Sequence, residues 1–455
     1  MDGVAITQRT ADLTKTLAAQ ASAVTYDDLP EPVRALARQC VLDYYGVALA
    51  GKDDELVAIL LAELDEAGGT AQASVIGHKA RLPSLSAALV NGAAGHALDY
   101  DDVNLAMPGH CSVAILPGLI AVAEQRRSSG REVIAAFVAG YEIACRIGMA
   151  LRPGHYDRGF HATGTVGCLG AAAACARLLG LDAEATARAL GIAGTQAAGL
   201  KSQFGTMCKP FHAGKASQNG LLAARLAARG FSSRPDLVEC EQGFAMTHGP
   251  DFRPEAALAD PPNGFHIFAN LFKYHAACYL THGPIECARA LREQHGVEPE
   301  QVTRLTLSLD RSCERVCNIP APTDGLEAKF SLRQTVAMAL SGVDTASLAA
   351  YSATTATDPE LVRLREKLVL DFHEGWPQAA AELEVALTDG RVVKASHDAG
   401  IPSADIAAQG ERLVAKFDAL ADRVLGAARS RELRETILGL DSIANVGALA
   451  RLGAR

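Results

Sequence analysis

Three carboxylates crowd one short stretch: Asp99, Asp101 and Asp102 in the segment HALDYDD, directly after an apolar, alanine-rich run. Carboxylates at a helix C-terminus meet the negative end of the helix dipole, at a cost of a few tenths to about 1 kcal/mol each. Such a cluster calls for a compensating cation, a metal ion or a chemical task. Three readings are open from the residues alone: a solvated loop with Asx turns, a general base or substrate grip, and a metal site.

A second pattern concerns cationic and titratable side chains near predicted helix starts. His110 precedes CSVAILPGLIAVA, and His161 precedes ATGTVGCLGAAAACARLLG. Lys209 and His212 open the stretch running through AGKASQNGLLAARLAARG, and Lys273 and His275 precede AACYLTHGPIECARALRE. Helix N-termini attract anions through free N–H groups and the positive dipole end. A Lys or His placed there is electrostatically costly unless an anion shares the site. Convergence of several would make a pocket for two or three carboxylates. A lone histidine such as His212 or His275 also fits a satisfied structural role. Lys209 in FGTMCKPFH and Lys273 in NLFKYH have apolar flanks, in which an idle ammonium is hard to justify.

Other chemistries find no support. Gly214-Lys215 is followed by Ala216, so no G-x-x-x-x-G-K-[ST] loop forms, and no G-x-G-x-x-G follows a strand. HExxH and GxSxG are absent. The 11 cysteines are scattered, none in CxxC, which argues against an iron–sulfur cluster and for reduced core thiols. A net charge of -9 and the lack of a long Lys/Arg run (Arg126-Arg127 with Arg131 is the nearest) argue against nucleic acid. No signal-like run opens the chain, and Val133 to Ala144 is broken by Gly140, Tyr141 and Glu142. The expectation is a cytoplasmic protein without a membrane span.

The elements that would position these residues are mainly α. Hydrophobic residues make up 49% but aromatics only 5%, which suits closely packed alanine-rich helices. Ile134, Phe137, Tyr141, Cys145 and Gly148 recur at helical spacing. Pro83 starts a helix through SLSAALVNGAAGHAL. Further helices are predicted over 163–179, 183–200 and 217–229. Leu305, Leu307 and Leu309 alternate with polar residues as a strand does. Leu383, Val385 and Leu387, then Asp389-Gly390 and Val392-Val393, predict a hairpin with a type I′-like turn. AKFSLRQTVAMAL and ELVRLREKLV look like amphipathic helices. The predicted organisation is an all-helical domain over 1–269, a smaller α+β lid domain over 270–398, and C-terminal helices over 399–455 that return to the first domain.

The same segments resemble the signatures of the MmgE/PrpD superfamily. NGAAGHALDYDD with Gly109-His110 resembles the first, FHATGTVGCLGAAAACARLLGL the second and FGTMCKPFHAGKASQNGLLAARLAARGF the third. KYHAACYLTHGPIECARAL and EAKFSLRQTVAMAL resemble two more, in order from about residue 90 to 340. The resemblance implies a large helical domain with a smaller lid, usually as a homodimer, and a site in the cleft between them. It implies no obligatory metal or organic cofactor. Position by position, it implies Asp99, His110, His161, Lys209 and Lys273 as catalytic residues. It places Tyr156 of the His155-Tyr156 element near the pocket with His212 and His275.

The activity so implied is acid–base chemistry on a small polycarboxylate. Lys209 and Lys273 would stabilise an enolate-like state, and His110 and His161 would serve as base or acid, with Asp99 orienting one of them or acting as base. Dehydration of a 2-methylcitrate-like acid leads, as a hydro-lyase; epimerisation of an iminodisuccinate-like dicarboxylate and cis-aconitate-type decarboxylation are the alternatives. A carboxylate-binding scaffold is the non-enzymatic one. Val103 stands where a Thr is common, and Cys111 where a Pro is. The missing hydroxyl predicts weak decarboxylation of cis-aconitate.

Overall fold

A computed structural model describes residues 12–454. The chain forms two compact units: one runs to Phe272 and resumes at Ala404, and the other is Lys273–Ser403.

The helices of the first unit that matter for the site are α1 (Glu31–Ala50), α2 (Ser84–His96), α3 (Cys111–Arg126), α4 (Gly130–Leu151), α5 (Ala162–Leu178), α6 (Cys208–Ala228) and α7 (Ile406–Leu425). Pro83 precedes α2, and Ser129 starts α4 with a capping box closed by Glu132. At the centre lies α5, of which only Arg177 escapes burial. It packs against α3, α4 and α6. Alanine and glycine allow this because backbones can approach closely. A Cβ on Gly92 of α2 would come within 2.7 Å of the Gly214 Cα of α6, and one on Gly214 within 2.2 Å of the Leu89 carbonyl oxygen. The two helices therefore cross backbone to backbone, which brings the start of α6 over the end of α2. By length and apolar composition α4 could cross a membrane, but nearly all of it is buried inside this unit.

The second unit holds a four-stranded sheet. Strands β1 (Val302–Asp310), β2 (Leu368–His373), β3 (Ala380–Leu387) and β4 (Val392–Asp398) lie in the order β2-β1-β3-β4. β1 pairs with β2 in parallel and with β3 antiparallel; β3 and β4 form a hairpin. One face of β3, Ala381, Leu383, Val385 and Leu387, is buried and the alternate residues are not. Helices His282–His295 and Leu332–Leu340 complete the unit.

Five local expectations need correction. The helix expected over 183–200 ends at Gly194. The run ELVRLREKLV is helical only as Pro359–Arg365, and its end enters β2, where Leu368 is buried. The hairpin turn is a longer loop: Gly390 donates to the Leu387 carbonyl, Leu387 N–H reaches Arg391, and only Gly390, not Asp389, has positive φ. That is the bulged turn with glycine in the left-handed position rather than type I′. The helix expected over 217–229 starts at Cys208, so Lys209 and His212 lie in its first turns. Lys273 and His275 do not open a helix, because the next one starts at His282.

Candidate active site

The end of α2 carries the first group. His96 is its last residue, and the chain turns through Ala97–Asp102, with Asp99 held at φ 50 by this turn. Val103-Asn104 then pairs with Asn270-Leu271, and the loop closes where Asn104 N–H donates to the Gly109 carbonyl at 2.9 Å. Gly109 is needed here: a Cβ would fall 2.9 Å from the Thr163 hydroxyl. The His110 N–H donates to that hydroxyl at 3.1 Å, tying the cap of α3 to the start of α5. His110 and His161 are the N-cap residues of α3 and α5, and Lys209 lies in the first turn of α6. Three helix starts and one helix end therefore meet.

Their side chains touch. The Lys209 ammonium lies 2.7 Å from Asp99 Oδ1, and His110 Nε2 is 3.6 Å from the same oxygen. On its other side His110 Nδ1 is 3.0 Å from Asp101 Oδ2, close enough for an ion pair though not aligned for a full hydrogen bond. His96 Nδ1 is 2.9 Å from Asp101 Oδ1, so one carboxylate serves two imidazoles. His96 also lies over His161, with ring centroids 5.8 Å apart, and His161 Nδ1 meets His212 Nδ1 at 3.1 Å. One of that pair must donate and the other accept, so the two rings hold different tautomers. Phe204 packs edge-on against His161. The Asp99 side chain is 38% exposed and Lys209 15%, whereas Asp101 is 2% and His96 fully buried. Asp99 and Lys209 form the mouth, and Asp101 with His96 the floor.

Burial sets the protonation states. It pulls His96 down to about 4 despite Asp101, and takes His161 well below the usual imidazole range with help from His96 and Lys209. His212 is lowered by burial and by Lys209. All three are neutral near pH 7. Burial acts to raise Asp101, but His110 and His96 outweigh it and hold the carboxyl well below its ordinary value. An anionic Asp101 favours the proton on His110 Nδ1, which leaves Nε2 as a base facing the mouth. His96, Asp99, Asp101 and His110 could also hold a divalent cation, since their donor atoms lie within 4.8 Å of one another. The Lys209 ammonium already supplies positive charge at Asp99.

Asp102 faces away from this group. Its Oδ2 accepts from the Ser112 hydroxyl at 2.5 Å and from Asn270 Nδ2 at 2.9 Å. Burial, then the Asp43 carboxylate, push it up from 3.8 to about 7. A carboxyl raised in the folded state stabilises the fold fully below its unfolded pKa, and that stabilisation is lost as pH rises through about 7. The upper bound is about 4 kcal/mol. Asp102→Asn cannot ionise, so it should flatten the fall in Tm between pH 5 and pH 8 by several degrees. Part of the fall will remain, because burial also raises Glu142 to about 7. Thermal melts across that range check this; equal slopes in variant and wild type would contradict it.

Comparison with known proteins identifies the frame that carries these groups. Residues 15–257 match the MmgE/PrpD N-terminal domain, and residues 275–442 match the MmgE/PrpD C-terminal domain. The chain belongs to the MmgE/PrpD family. Cis-aconitate decarboxylase of Aspergillus terreus is 29% identical, over 95% of this chain and 94% of the relative. Cis-aconitate decarboxylase of Mus musculus is 26% identical, over 97% and 93%. The cis-aconitate decarboxylase-like protein oryM of Aspergillus oryzae is 31% identical over 62% and 63%.

Of the residues singled out for this MmgE/PrpD chain, the structure brings Asp99, His110, His161, Lys209 and His212 into one cluster. Tyr156 instead lines a small cavity with Met107, Pro108, His155 and Val166, and its ring lies under the Lys201 ammonium at 3.6 Å. Lys273 is buried at the start of the second unit. His275 belongs to that unit too, with Nδ1 on the Thr345 hydroxyl at 2.8 Å and Nε2 on Glu286 at 3.2 Å. Both its ring nitrogens have protein partners, which fits a structural histidine better than a substrate ligand. Two further residues sit at the heart of the cluster: Asp101, one of the three crowded carboxylates but given no role of its own, and His96, whose only signal was its place in HALDYDD.

Proposed function

We propose that this chain is a lyase that uses protein acids and bases at a carbon next to a carboxylate of a small polycarboxylate. The observation that carries the reading is the Lys209–Asp99–His110–Asp101 chain of contacts: a compact cation at the mouth, a base behind it, and a buried carboxylate that fixes the base. A substrate carboxylate would exchange with Asp99 for Lys209. As negative charge spreads onto that carboxylate in the enolate-like state, the ammonium stabilises it, and the His110 imidazole moves the proton.

For the reaction itself, relatives named as cis-aconitate decarboxylases that match nearly the whole chain support carbon–carbon cleavage. In that reaction the bond to a carboxylate breaks, carbon dioxide leaves, the electron pair passes through the double bond to the carbon beside a remaining carboxylate, and a protein acid delivers a proton to that carbon. This moves decarboxylation ahead of the dehydration that the sequence placed first. Dehydration of a 2-methylcitrate-like acid is the second reading, kept because Val103 offers no hydroxyl to a substrate carboxylate, which weighs against decarboxylation of cis-aconitate. Incubation with cis-aconitate, 2-methylcitrate and a racemisable dicarboxylate separates them, following carbon dioxide, alkene signals and optical rotation. Carbon dioxide release from cis-aconitate is expected. Alkene formation without it would install the hydro-lyase, and loss of rotation without either would install an epimerase. No turnover of any of them by folded protein would count against the reading.

A further inference from the structure

A buried ion pair lies beneath the catalytic turn. Asp43, in the middle of α1, and Lys416, on α7, meet with Nζ 2.6 Å from Oδ1, and their side chains are 1% and 4% exposed. The same ammonium donates to the Tyr100 carbonyl at 2.8 Å and lies 4.0 Å from the centre of the Tyr100 ring. Tyr100 is itself buried and stands between Asp99, which meets Lys209, and Asp101, which meets both imidazoles.

Such a pair is a poor way to stabilise a fold. Desolvating two charges costs several kcal/mol per ion, and apolar side chains of similar size often do as well or better. What apolar groups cannot do is satisfy the Tyr100 carbonyl. That carbonyl belongs to a turn with Asp99 at φ 50, a conformation uncommon for a non-glycine residue that persists only where its surroundings enforce it. Asp102 pins the far end of the turn on Ser112 and Asn270. At the near end the helix hydrogen bonds run out at Ala97 and Asp99, whose N–H groups reach back to Ala94 and His96. Between these two anchors Lys416 supplies a third.

We propose that Lys416 is a positioning residue: through the Tyr100 carbonyl, helix α7 sets the spacing of Asp99 and Asp101 on which the proposed acid–base site depends. This rests on the functional reading above for its kinetic consequence, but its geometric consequence can be read without any activity.

The test replaces the pair together, as Asp43→Leu/Lys416→Met, because removing Lys416 alone would strand a buried carboxylate. The double variant should fold with a Tm within a few degrees of wild type. With cis-aconitate or whichever polycarboxylate the wild type turns over, kcat should fall more than tenfold while KM changes less than threefold. A crystal structure of the variant should show the Tyr100 carbonyl displaced and the Asp99–Lys209 contact lengthened. A folded variant with kcat within twofold of wild type, or with the turn unmoved, overturns the proposal. If the wild type turns over no polycarboxylate, the functional reading fails, and the crystal structure still decides the positional claim. Should the double variant not fold, Asp43→Asn/Lys416→Gln keeps polar groups at both positions but is too short to span to Tyr100. The same displacement is expected there, and an unmoved turn again overturns the idea.

Discussion

Asp101→Asn should lower kcat by about three to four orders of magnitude with the fold intact, the size seen when an amide replaces the carboxylate behind a catalytic histidine. The cause is the tautomer. Asp101 is hydrogen-bonded to His96 Nδ1 and lies 3.0 Å from His110 Nδ1. The Asp101 carboxylate stabilises the imidazolium from which His110 Nε2 hands over a proton; an amide does not, and its NH2 turned toward Nδ1 would fix the opposite tautomer, so the ring could no longer relay a proton between its two nitrogens. The buried position stays hydrogen-bonded, so Tm should change little. Steady-state kinetics and imidazole ¹⁵N shifts check both parts. Substantial activity in a folded Asp101→Asn protein would mean that His110 does not act as the proton-transfer group.

The second large effect is expected at Lys209. Loss of one preorganised electrostatic donor costs roughly 2.7–4 kcal/mol, about a hundred- to thousand-fold in kcat. Lys209→Ala removes the ammonium that sits on Asp99 and that would stabilise the substrate's developing charge. Asp99 is more than a third exposed, so its charge is not stranded and the protein should fold. A rise in KM should accompany the loss, because the same cation grips the ground-state carboxylate. A folded variant near wild-type kcat would place the substrate elsewhere.

Much of this was legible in the sequence, for identifiable reasons. The helices around α5 announce themselves because glycine and alanine are the residues that let backbones touch, as at Gly92 and Gly214. Asp99, His110, His161 and Lys209 stood out because each is electrostatically costly at its helix terminus unless a partner shares the place. His96 carried no such signal: a histidine in the last turn of a helix suits the dipole, and nothing local shows that Asp101 will fold back onto it. Nor does sequence disclose that Lys416 reaches the turn from a helix more than three hundred positions away. The first two residues of β2, Leu368 and Val369, were read as helix because they continue the amphipathic run of 359–365, and only pairing with β1 decides against that. His275 looked like a companion to Lys273 as His212 is to Lys209, yet its partners, Thr345 and Glu286, are set by the packing of the second unit.

The most direct test of the central claim is turnover in deuterated water followed by proton NMR. The account predicts that cis-aconitate is consumed, and that the product carries one solvent-derived deuterium on the carbon that takes up the proton, next to a remaining carboxylate. It also predicts that this labelling slows in step with kcat in Asp101→Asn and Lys209→Ala. A product without solvent-derived deuterium on carbon, or labelling that proceeds at the wild-type rate in both variants, would contradict it.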